Sequence, residues 1–202
     1  MENQSNQINQ RLIFATNNQH KIDEIKAVIG SQFNIVTLLE AGIDIDIPEP
    51  HDTLEANATE KSTTIHKITG ENVFSEDTGL EVESLNGEPG VKSARYAGKG
   101  RDFQANIDKL LEKMEGKENR VARFRTVISL ILNKQEFLFD GICKGQIIAE
   151  QKGFKGFGYD PVFIPDGSNK TFAEMNMADK NQFSHRKKAT DKLIEFLKNT
   201  QS

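Results

Sequence analysis

The chain has 202 residues, enough for one domain, or one domain with two lobes, that buries a sizeable core. Its formal net charge of −4 argues against a general nucleic-acid binder, because such proteins gain most of their affinity by neutralising phosphates. Hydrophobic residues make up 36% of the chain and charged residues 28%, and no apolar run approaches the ~20 residues of a membrane span. We therefore expect a soluble protein without membrane or nucleic-acid partners.

The first ten residues are polar, and they lack the basic and apolar regions of a secretion signal. We expect residues 1–10 to form a disordered tail and residues 11–202 to form one domain. Cys143 is the only cysteine, which rules out an internal disulfide bond and fits the reducing cytoplasm. Because Cys143 lies in an apolar stretch, it is interpreted as core filler in a cytoplasmic protein.

Strand and helix patterns alternate in the first third of the chain. Residues 12–15 and 33–38 are apolar runs that predict strands. Between them, isoleucines recur at helical spacing until Gly30, which is a typical helix stop. Asp52 and Glu55 resemble a capping box and predict the start of a second helix.

The middle of the chain is predicted to form strands, with a break at the Asp-Thr-Gly sequence of residues 77–79. The strand-like runs are residues 73–74, 80–85, 121–132, 136–142 and 145–149. Helical spacing of apolar residues predicts an amphipathic helix over residues 103–114 and a last helix near the end of the chain. Helices early and late, with strands between them, favour an α/β fold in which helices cover a mixed sheet.

A polar cluster lies where the first strand becomes the first helix. Backbone amides at a helix N-terminus lack partners, and the helix dipole favours an anion there. Lys21, in the first turn, could meet a phosphate as a point charge. An Asn cap followed by a solvated lysine is the alternative and is the commoner arrangement. The residues of this cluster are Thr16, Asn17, Asn18, Gln19, His20 and Lys21.

Two adjacent carboxylates follow the predicted strand at residues 73–74. Side chains on a strand alternate between its faces, so only one of Glu76 and Asp77 should face a ligand directly. Together with Glu49, Asp77 would offer the oxygen ligands that Mg²⁺ accepts beside water and substrate phosphates. An Asp-Thr-Gly turn without a metal is the equally good alternative.

The sequence Gly-Phe-Gly-Tyr-Asp-Pro occupies residues 156–161. Its glycines allow the backbone to approach a ligand closely. Phe157 and Tyr159 offer ring faces on which a base could stack. The alternative for either ring is a place in the core.

Residues 180–186 combine cations with a predicted helix start. Ser184 is the expected N-cap, which puts His185, Arg186 and two further lysines in the first turn, where cations oppose the helix dipole. A bound anion or an electron-rich ligand carbonyl would relieve this repulsion. Solvation is the alternative, and it suits the two further lysines better than Lys180 or Arg186.

With these motifs, the chain closely resembles the inosine triphosphate pyrophosphatase family, enzymes that remove non-standard purine nucleoside triphosphates. The resemblance runs from about residue 12 to residue 197. The motifs that carry it are Thr16-Asn-x-x-x-Lys21, Asn57-Ala-x-x-Lys61, Asp77-Thr-Gly-Leu, Gly87-x-Pro-Gly-x-x-Ser-Ala-Arg95, Gly156-Phe-Gly-Tyr-Asp-Pro-Val-Phe and Lys180-Asn-x-x-Ser-His-Arg186.

The resemblance implies that Mg²⁺ assists hydrolysis of ITP, dITP and XTP between the α and β phosphates. It implies a two-lobed fold around a long central mixed sheet flanked by helices, the active site in the cleft between the lobes, and a homodimer. Asp77 would be the catalytic base and, with Glu49, a metal ligand. Residues 16–21 and Lys61 would hold phosphates and Thr78 would touch substrate. The implied base pocket consists of Phe157, Gly158, Tyr159, Asp160, Lys180, His185 and Arg186.

Two other functions stay open from the sequence. One is a related pyrophosphatase for pyrimidine or modified nucleotides, which would lack the Ser-His-Arg pocket. The other is a nucleotide sensor without catalysis, against which the intact Asp77 argues. Because Lys180 and Arg186 can only donate hydrogen bonds, the implied pocket favours the carbonyl at position 6 of hypoxanthine and xanthine over the amino group of adenine.

Overall fold

The fold is a sheet of seven strands flanked by helices, seen in a computed structural model that describes residues 11–31 and 33–200. The tail predicted over residues 1–10 lies outside the described residues. The strands are β1 (Arg11–Phe14), β2 (Asn34–Thr37), β3 (Val73–Val82), β4 (Pro89–Gly90), β5 (Val121–Leu132), β6 (Gln135–Ile147) and β7 (Phe163–Pro165). The helices are α1 (Gln19–Ile29), α2 (Leu54–Thr69), α3 (Phe103–Lys113), α4 (Met177–Phe183) and α5 (His185–Asn199).

The sheet is mixed, in the order β2-β1-β3-β5-β6-β7, with β4 paired to β3. Strand β1 runs parallel to β2 and β3, whereas β3, β5, β6 and β7 pair antiparallel. Helix α2 packs on β3 and β5, and α5 packs on β5 and β6. The predicted α/β class with a mixed sheet flanked by helices is therefore confirmed.

Three local predictions differ from the structure. Strand β3 continues through the predicted break, because Gly79 leaves room for β4: an added Cβ would lie 2.7 Å from the Gly90 carbonyl oxygen. The two runs predicted after residue 136 form the single strand β6. Helix α2 is capped by Thr53 rather than Asp52, since the Thr53 hydroxyl accepts from the Ala56 N–H at 3.2 Å.

Two large hydrophobic cores fill the two lobes. One lies between α1, α5 and strands β1, β3 and β5, and the other joins α3 to β7 and the distal halves of β3, β5 and β6. Cys143 is buried in the second core, and burial raises the pKa of its thiol to about 12, as suits core filler.

Within the described residues, the structure has no helix with the length and apolar character to cross a membrane.

Helix α5 begins in direct contact with the backbone of β6. A Cβ added to Gly141 would lie 2.1 Å from the His185 carbonyl oxygen and 2.5 Å from the Ala189 nitrogen. Ser184 caps this helix as predicted, accepting from the Lys187 N–H at 3.2 Å. Because residue 141 is a glycine, the first turn of α5 can pack directly against the backbone of β6.

We expect Gly141→Ala to destabilise the protein by about 1–3 kcal/mol, because the new methyl group overlaps backbone atoms that cannot rotate away. Urea unfolding measures the change. Gly100→Ala is the matched control, since an added Cβ at Gly100 meets no atom within 4 Å. Equal midpoints for the two variants would contradict this account of the contact between α5 and β6.

Candidate active site

A cavity of about 190 Å³ lies between the lobes. Its walls come from the end of β1, the start of α1, strand β3, the loop before residue 161 and the start of α5. It brings together most of the predicted site residues: Thr16, Asn17, Asn18, Lys21, Glu49, Lys61, Asp77, Thr78, Phe157, Gly158, Tyr159, Asp160, Lys180, His185 and Arg186.

Gln19 and His20 do not line this cavity. Helix α1 begins at Gln19, whose side-chain amide donates to Asp23 Oδ1 at 2.7 Å. The His20 ring stacks on Phe157, with centroids 4.9 Å apart and planes 10° apart. A direct substrate contact through either side chain stays a prediction, since both lie outside the wall of the cavity that Asn18 and Lys21 line.

The N-terminus of α1 forms one end of the cavity. Asn18 is its N-cap, and Asn18 Oδ1 accepts from the Lys21 N–H at 3.3 Å. Asn17 Nδ2 donates to the Ile45 carbonyl at 2.9 Å, which ties this turn to the segment before Glu49. The cap and the phosphate interpretation are thus compatible, since the capped helix start and Lys21 both face the cavity.

Lys61 joins the two predicted metal ligands. Its Nζ donates to Glu49 Oε1 at 2.7 Å and to Asp77 Oδ1 at 3.2 Å, while Arg95 donates to Glu49 Oε2 at 2.8 Å. Burial acts to raise the pKa of Glu49, but Lys61, Lys21 and Arg95 outweigh it and lower that pKa to about 2. At Asp77 burial dominates, and it raises the pKa. Glu49 is therefore firmly ionised, whereas Asp77 near it takes up a proton more readily.

A second chain of ion pairs runs along the other end of the cavity. Arg186 Nε donates to Glu76 Oε2 at 2.7 Å, and Arg186 Nη1 donates to Glu24 Oε2. Lys180 Nζ donates to Glu24 Oε1 at 2.8 Å and to Asp160 Oδ2 at 2.7 Å. Burial acts to raise the pKa of Glu24 and Glu76, but the neighbouring cations lower each to about 2. These side chains are ionised although they are almost fully buried.

Arg186 is largely committed to protein contacts. Besides the bonds from Nε and Nη1, its Nη2 donates to Glu76 Oε1 at 3.2 Å and to Thr78 Oγ1 at 3.4 Å. The side chain is 2% exposed, and its main contacts hold two carboxylates in place. A direct contact between Arg186 and a base stays a prediction, because four of its five N–H donors are used within the protein. Lys180 likewise keeps one of its three, and a neutral His185 has one in all.

The loop before residue 161 depends on two glycines. Gly156 and Gly158 have φ of +75° and +61°, the left-handed region that favours glycine. A Cβ on Gly156 would lie 2.0 Å from Asp160 Oδ2, the oxygen that accepts from the Phe157 N–H at 2.9 Å. The Asp160 carboxylate therefore fixes both this loop and Lys180.

The two aromatic rings of this loop have different places. Tyr159 is 4% exposed in the second core, and its hydroxyl donates to the Ser93 carbonyl at 2.9 Å. Phe157 is half-buried, and its ring lines the cavity. The core alternative thus applies to Tyr159, and Phe157 keeps the ring face on which a base can stack.

His185 is buried and neutral. Its ring stacks on Phe124, with centroids 4.7 Å apart and planes 14° apart. Burial and the charge of Arg186 lower the pKa of His185 well below its ordinary value. Its Nδ1 is buried without a hydrogen-bond partner in the described residues, although the side chain lines the cavity.

Asp77 keeps one oxygen without a partner. In the part of the chain that the structure describes, Asp77 Oδ2 is buried and accepts no hydrogen bond. Within the same residues no group of three or more His, Cys, Asp or Glu side chains could enclose a metal ion. The donors present, Asp77 Oδ2 and Glu49, fit a hard cation that takes its other ligands from water and phosphate.

Comparisons with known proteins identify the family of the chain. The model of the Ham1 family matches residues 12–196. The chain belongs to the Ham1 family. Among curated Ham1 relatives, "dITP/XTP pyrophosphatase" of Flavobacterium psychrophilum is 48% identical over 94% of this chain and 100% of the relative. The protein of the same name from Porphyromonas gingivalis is 49% identical over 93% of this chain and 97% of the relative.

Solved structures of the Ham1 family have the same fold. The Staphylococcus aureus Ham1 protein is 38% identical with a TM-score of 0.86, over 95% of this chain and 100% of that one. A HAM1 protein from Coxiella burnetii is 33% identical with a TM-score of 0.86, over 94% of this chain and 99% of that one. Both matches confirm the family resemblance that the motifs indicated.

Sequence reasoning missed several residues of this Ham1 site. Glu24 holds Lys180 and Arg186, and its position three residues after Lys21 was the available signal, because both then lie on one face of α1. Arg95 was part of a recognised motif without a role. Ser93 belongs to the same motif and was given no role either. Other residues of the cavity wall gave no local signal, since only the fold brings their segments to it: Asp46, Arg101, Phe103 and Asn106.

The buried Glu76 makes the fold sensitive to acid. Its folded pKa of about 2 lies below the ordinary 4.5, so its contribution to stability is complete above pH 4.5 and is lost as pH falls towards 2. We expect the stability difference between wild type and Glu76→Gln to shrink by about 2 kcal/mol from pH 6 to pH 3.

Urea unfolding at the two pH values measures this difference. Asp191→Asn is the control, because it removes only an exposed pair with Lys187, and such pairs contribute little. A wild-type advantage over Glu76→Gln that stays constant between pH 6 and pH 3 would show that Glu76 is not held ionised by its neighbours.

Proposed function

We propose that this protein is a pyrophosphatase that hydrolyses ITP, dITP and XTP to the nucleoside monophosphate and pyrophosphate. The observation that carries the proposal is one cavity with two chemically different ends. The Glu49–Lys61–Asp77 group lies at one end, and the Lys180–Asp160 pair lies beside Phe157 at the other. The relatives named dITP/XTP pyrophosphatase, of nearly the same length, support the same substrate class.

The phosphate end supplies cations, amides and a base. The start of α1, Lys21 and Lys61 receive the phosphates. Asp77, whose pKa is raised by burial, accepts a proton from the water that attacks the α-phosphorus, and pyrophosphate leaves. Glu49 and Asp77 would hold Mg²⁺, which would supply positive charge to the phosphates and lower the pKa of the attacking water.

Charge balance supports a metal that arrives with the substrate. Lys61 is paired with Glu49 and Asp77, and Lys21 lies 2.9 Å from Glu76 Oε1. The lysines of the phosphate end thus have carboxylate partners already, so they cannot by themselves neutralise a triphosphate. A divalent cation removes this deficit, as is usual for enzymes of nucleoside triphosphates.

The base end supplies a donor beside an acceptor. Lys180 Nζ and the Asp160 carboxylate lie 2.7 Å apart. A 6-keto purine presents the reverse pattern, an O6 acceptor beside an N1–H donor, whereas adenine presents an amino donor beside an N1 acceptor. Lys180 and Asp160 therefore match hypoxanthine and xanthine and mismatch adenine. GTP shares the 6-keto pattern, so its rejection has to come from its 2-amino group.

We expect Asp77→Asn to lower kcat for ITP by 10²-fold or more, because the amide can neither accept the proton nor supply a charged metal ligand. Turnover is measured at saturating Mg²⁺ by release of pyrophosphate and IMP. Asp108→Asn, on the exposed face of α3, is the control. Near-native turnover of Asp77→Asn would refute the assigned role, and release of single orthophosphate by the wild type would refute the reaction.

We expect Asp160→Asn to narrow the preference for ITP over ATP by about tenfold or more. The amide oxygen can keep the contacts with Lys180 and the Phe157 N–H, and the new amino group then replaces an acceptor with a donor. The measurement is kcat/KM for ITP, XTP, GTP and ATP. An equal loss on all four would mean that Asp160 holds only the loop.

We further propose that the enzyme works as a homodimer in the cytoplasm with Mg²⁺ as its cofactor. The homodimer rests on the family resemblance alone, and sedimentation of the purified protein would determine it. The cytoplasm is supported by the single, buried cysteine. Neither nucleic acid nor membrane has a place in this proposal, since the substrates are free nucleotides.

A further inference from the structure

His20 has a contact that the proposed reaction does not use. It is an exposed residue of the first turn of α1, yet its ring lies parallel to Phe157, 4.9 Å from it between centroids. Phe157 lines the cavity and His20 does not. His20 therefore covers the face of the Phe157 ring that is turned away from the cavity.

The opposite side of the same ring faces the base end. Lys180 Nζ and the guanidinium carbon of Arg186 lie 5.5 and 5.6 Å from the Phe157 centroid, and both residues line the cavity. Phe103, the first residue of α3, contacts the ring at a tilt of 48° with centroids 6.0 Å apart. The ring is thus held between α1, α3 and the base end.

The backbone alone gives this ring little support. Phe157 lies between two glycines in the left-handed region, and residues 151–156 before it are exposed. Two bonds with Asp160 hold its backbone, one from the Phe157 N–H to Oδ2 and one from the Asp160 N–H to the Phe157 carbonyl at 3.3 Å, and they fix the main chain but not the ring plane. Of the two aromatic contacts of Phe157, with His20 and Phe103, the one with His20 is parallel, so it is the contact suited to hold the plane on which a base would lie.

We infer that His20 is a positioning residue that holds Phe157 in the orientation for stacking on the purine base. It acts through Phe157 and touches neither the base nor the phosphates. Because His20 directly precedes Lys21 on α1, it also joins the phosphate end of the cavity to the base end. The inference rests on the proposed function, in which a purine stacks on Phe157.

The test separates base binding from phosphate binding. An aromatic pair is worth a modest amount, so we expect His20→Ala to raise KM for ITP about 2- to 10-fold and to leave kcat within twofold. The dissociation constant of IMP, measured by calorimetry, should rise in the same proportion, whereas inhibition by inorganic pyrophosphate should not change. His20→Phe should restore both values, because a phenyl ring can stack in place of the imidazole.

Gln104→Ala is the matched control, since this exposed side chain in the first turn of α3 bonds to Asp108 and should leave every constant unchanged. A weakening of pyrophosphate inhibition by His20→Ala would show a phosphate contact instead and overturn the inference. Failure of His20→Phe to restore IMP binding would overturn it too. The inference would also be overturned if His20→Ala left both KM for ITP and the affinity for IMP unchanged.

Proton NMR tests the stack without turnover. The chain has four histidines, and the ring current of Phe157 should move the His20 imidazole protons upfield. Phe157→Leu should abolish that shift, and an unchanged His20 spectrum would contradict the contact. A wild-type protein that stacks His20 on Phe157 and binds IMP but does not hydrolyse ITP would refute the proposed reaction and leave the positioning role of His20 standing.

Discussion

The ion pairs of Arg186 with Glu76 and Glu24 are the interaction on which the rest of this site depends. All three side chains are nearly inaccessible to water, and an unpaired charge in such a place costs several kcal/mol. These bonds join α5 to β3 and to α1, so they fix the three elements that enclose the cavity. Lys180 extends the same chain to Asp160 and thereby to the loop that carries Phe157.

The same pairing limits what the cavity can bind. Within the two chains of ion pairs, each lysine and arginine faces a carboxylate, so neither chain has positive charge to spare. A triphosphate that draws Lys21 or Lys61 towards it leaves Glu76 or Asp77 with less compensation. In the proposed reaction, a cation that enters with the phosphates would supply this compensation, which would make metal and substrate interdependent.

The sequence predicted the residue types of the site better than their contacts. Four motifs led to the cavity because each interrupts an apolar pattern with polar residues. The structure places them at the start of α1, inside β3, before β7 and at the junction of α4 and α5. The sequence could not show that Arg186 is tied to Glu24, since 162 positions separate them and no local pattern links a helix start to a distant helix. For Gln19 and His20, a shared motif suggested a shared role. In the structure, Lys21 lines the cavity and these two residues do not, and no local pattern distinguishes the three.

Two adjacent residues of strand β3, Glu76 and Asp77, belong to the two different chains of ion pairs. Glu76 and Asp77 point to opposite faces, so Glu76 joins the base-end chain through Arg186 and Asp77 joins Lys61 and Glu49. Lys21 is the cation common to both, because it pairs with Glu76 and its charge also lowers the pKa of Glu49 and opposes the rise at Asp77. In the proposed reaction, a phosphate that contacts Lys21 would act on both chains at once, strengthening the hold of Glu76 on Arg186 while making Asp77 a stronger proton acceptor. Recognition of the base and activation of water would then be coupled through this one lysine, although the two carboxylates face away from each other.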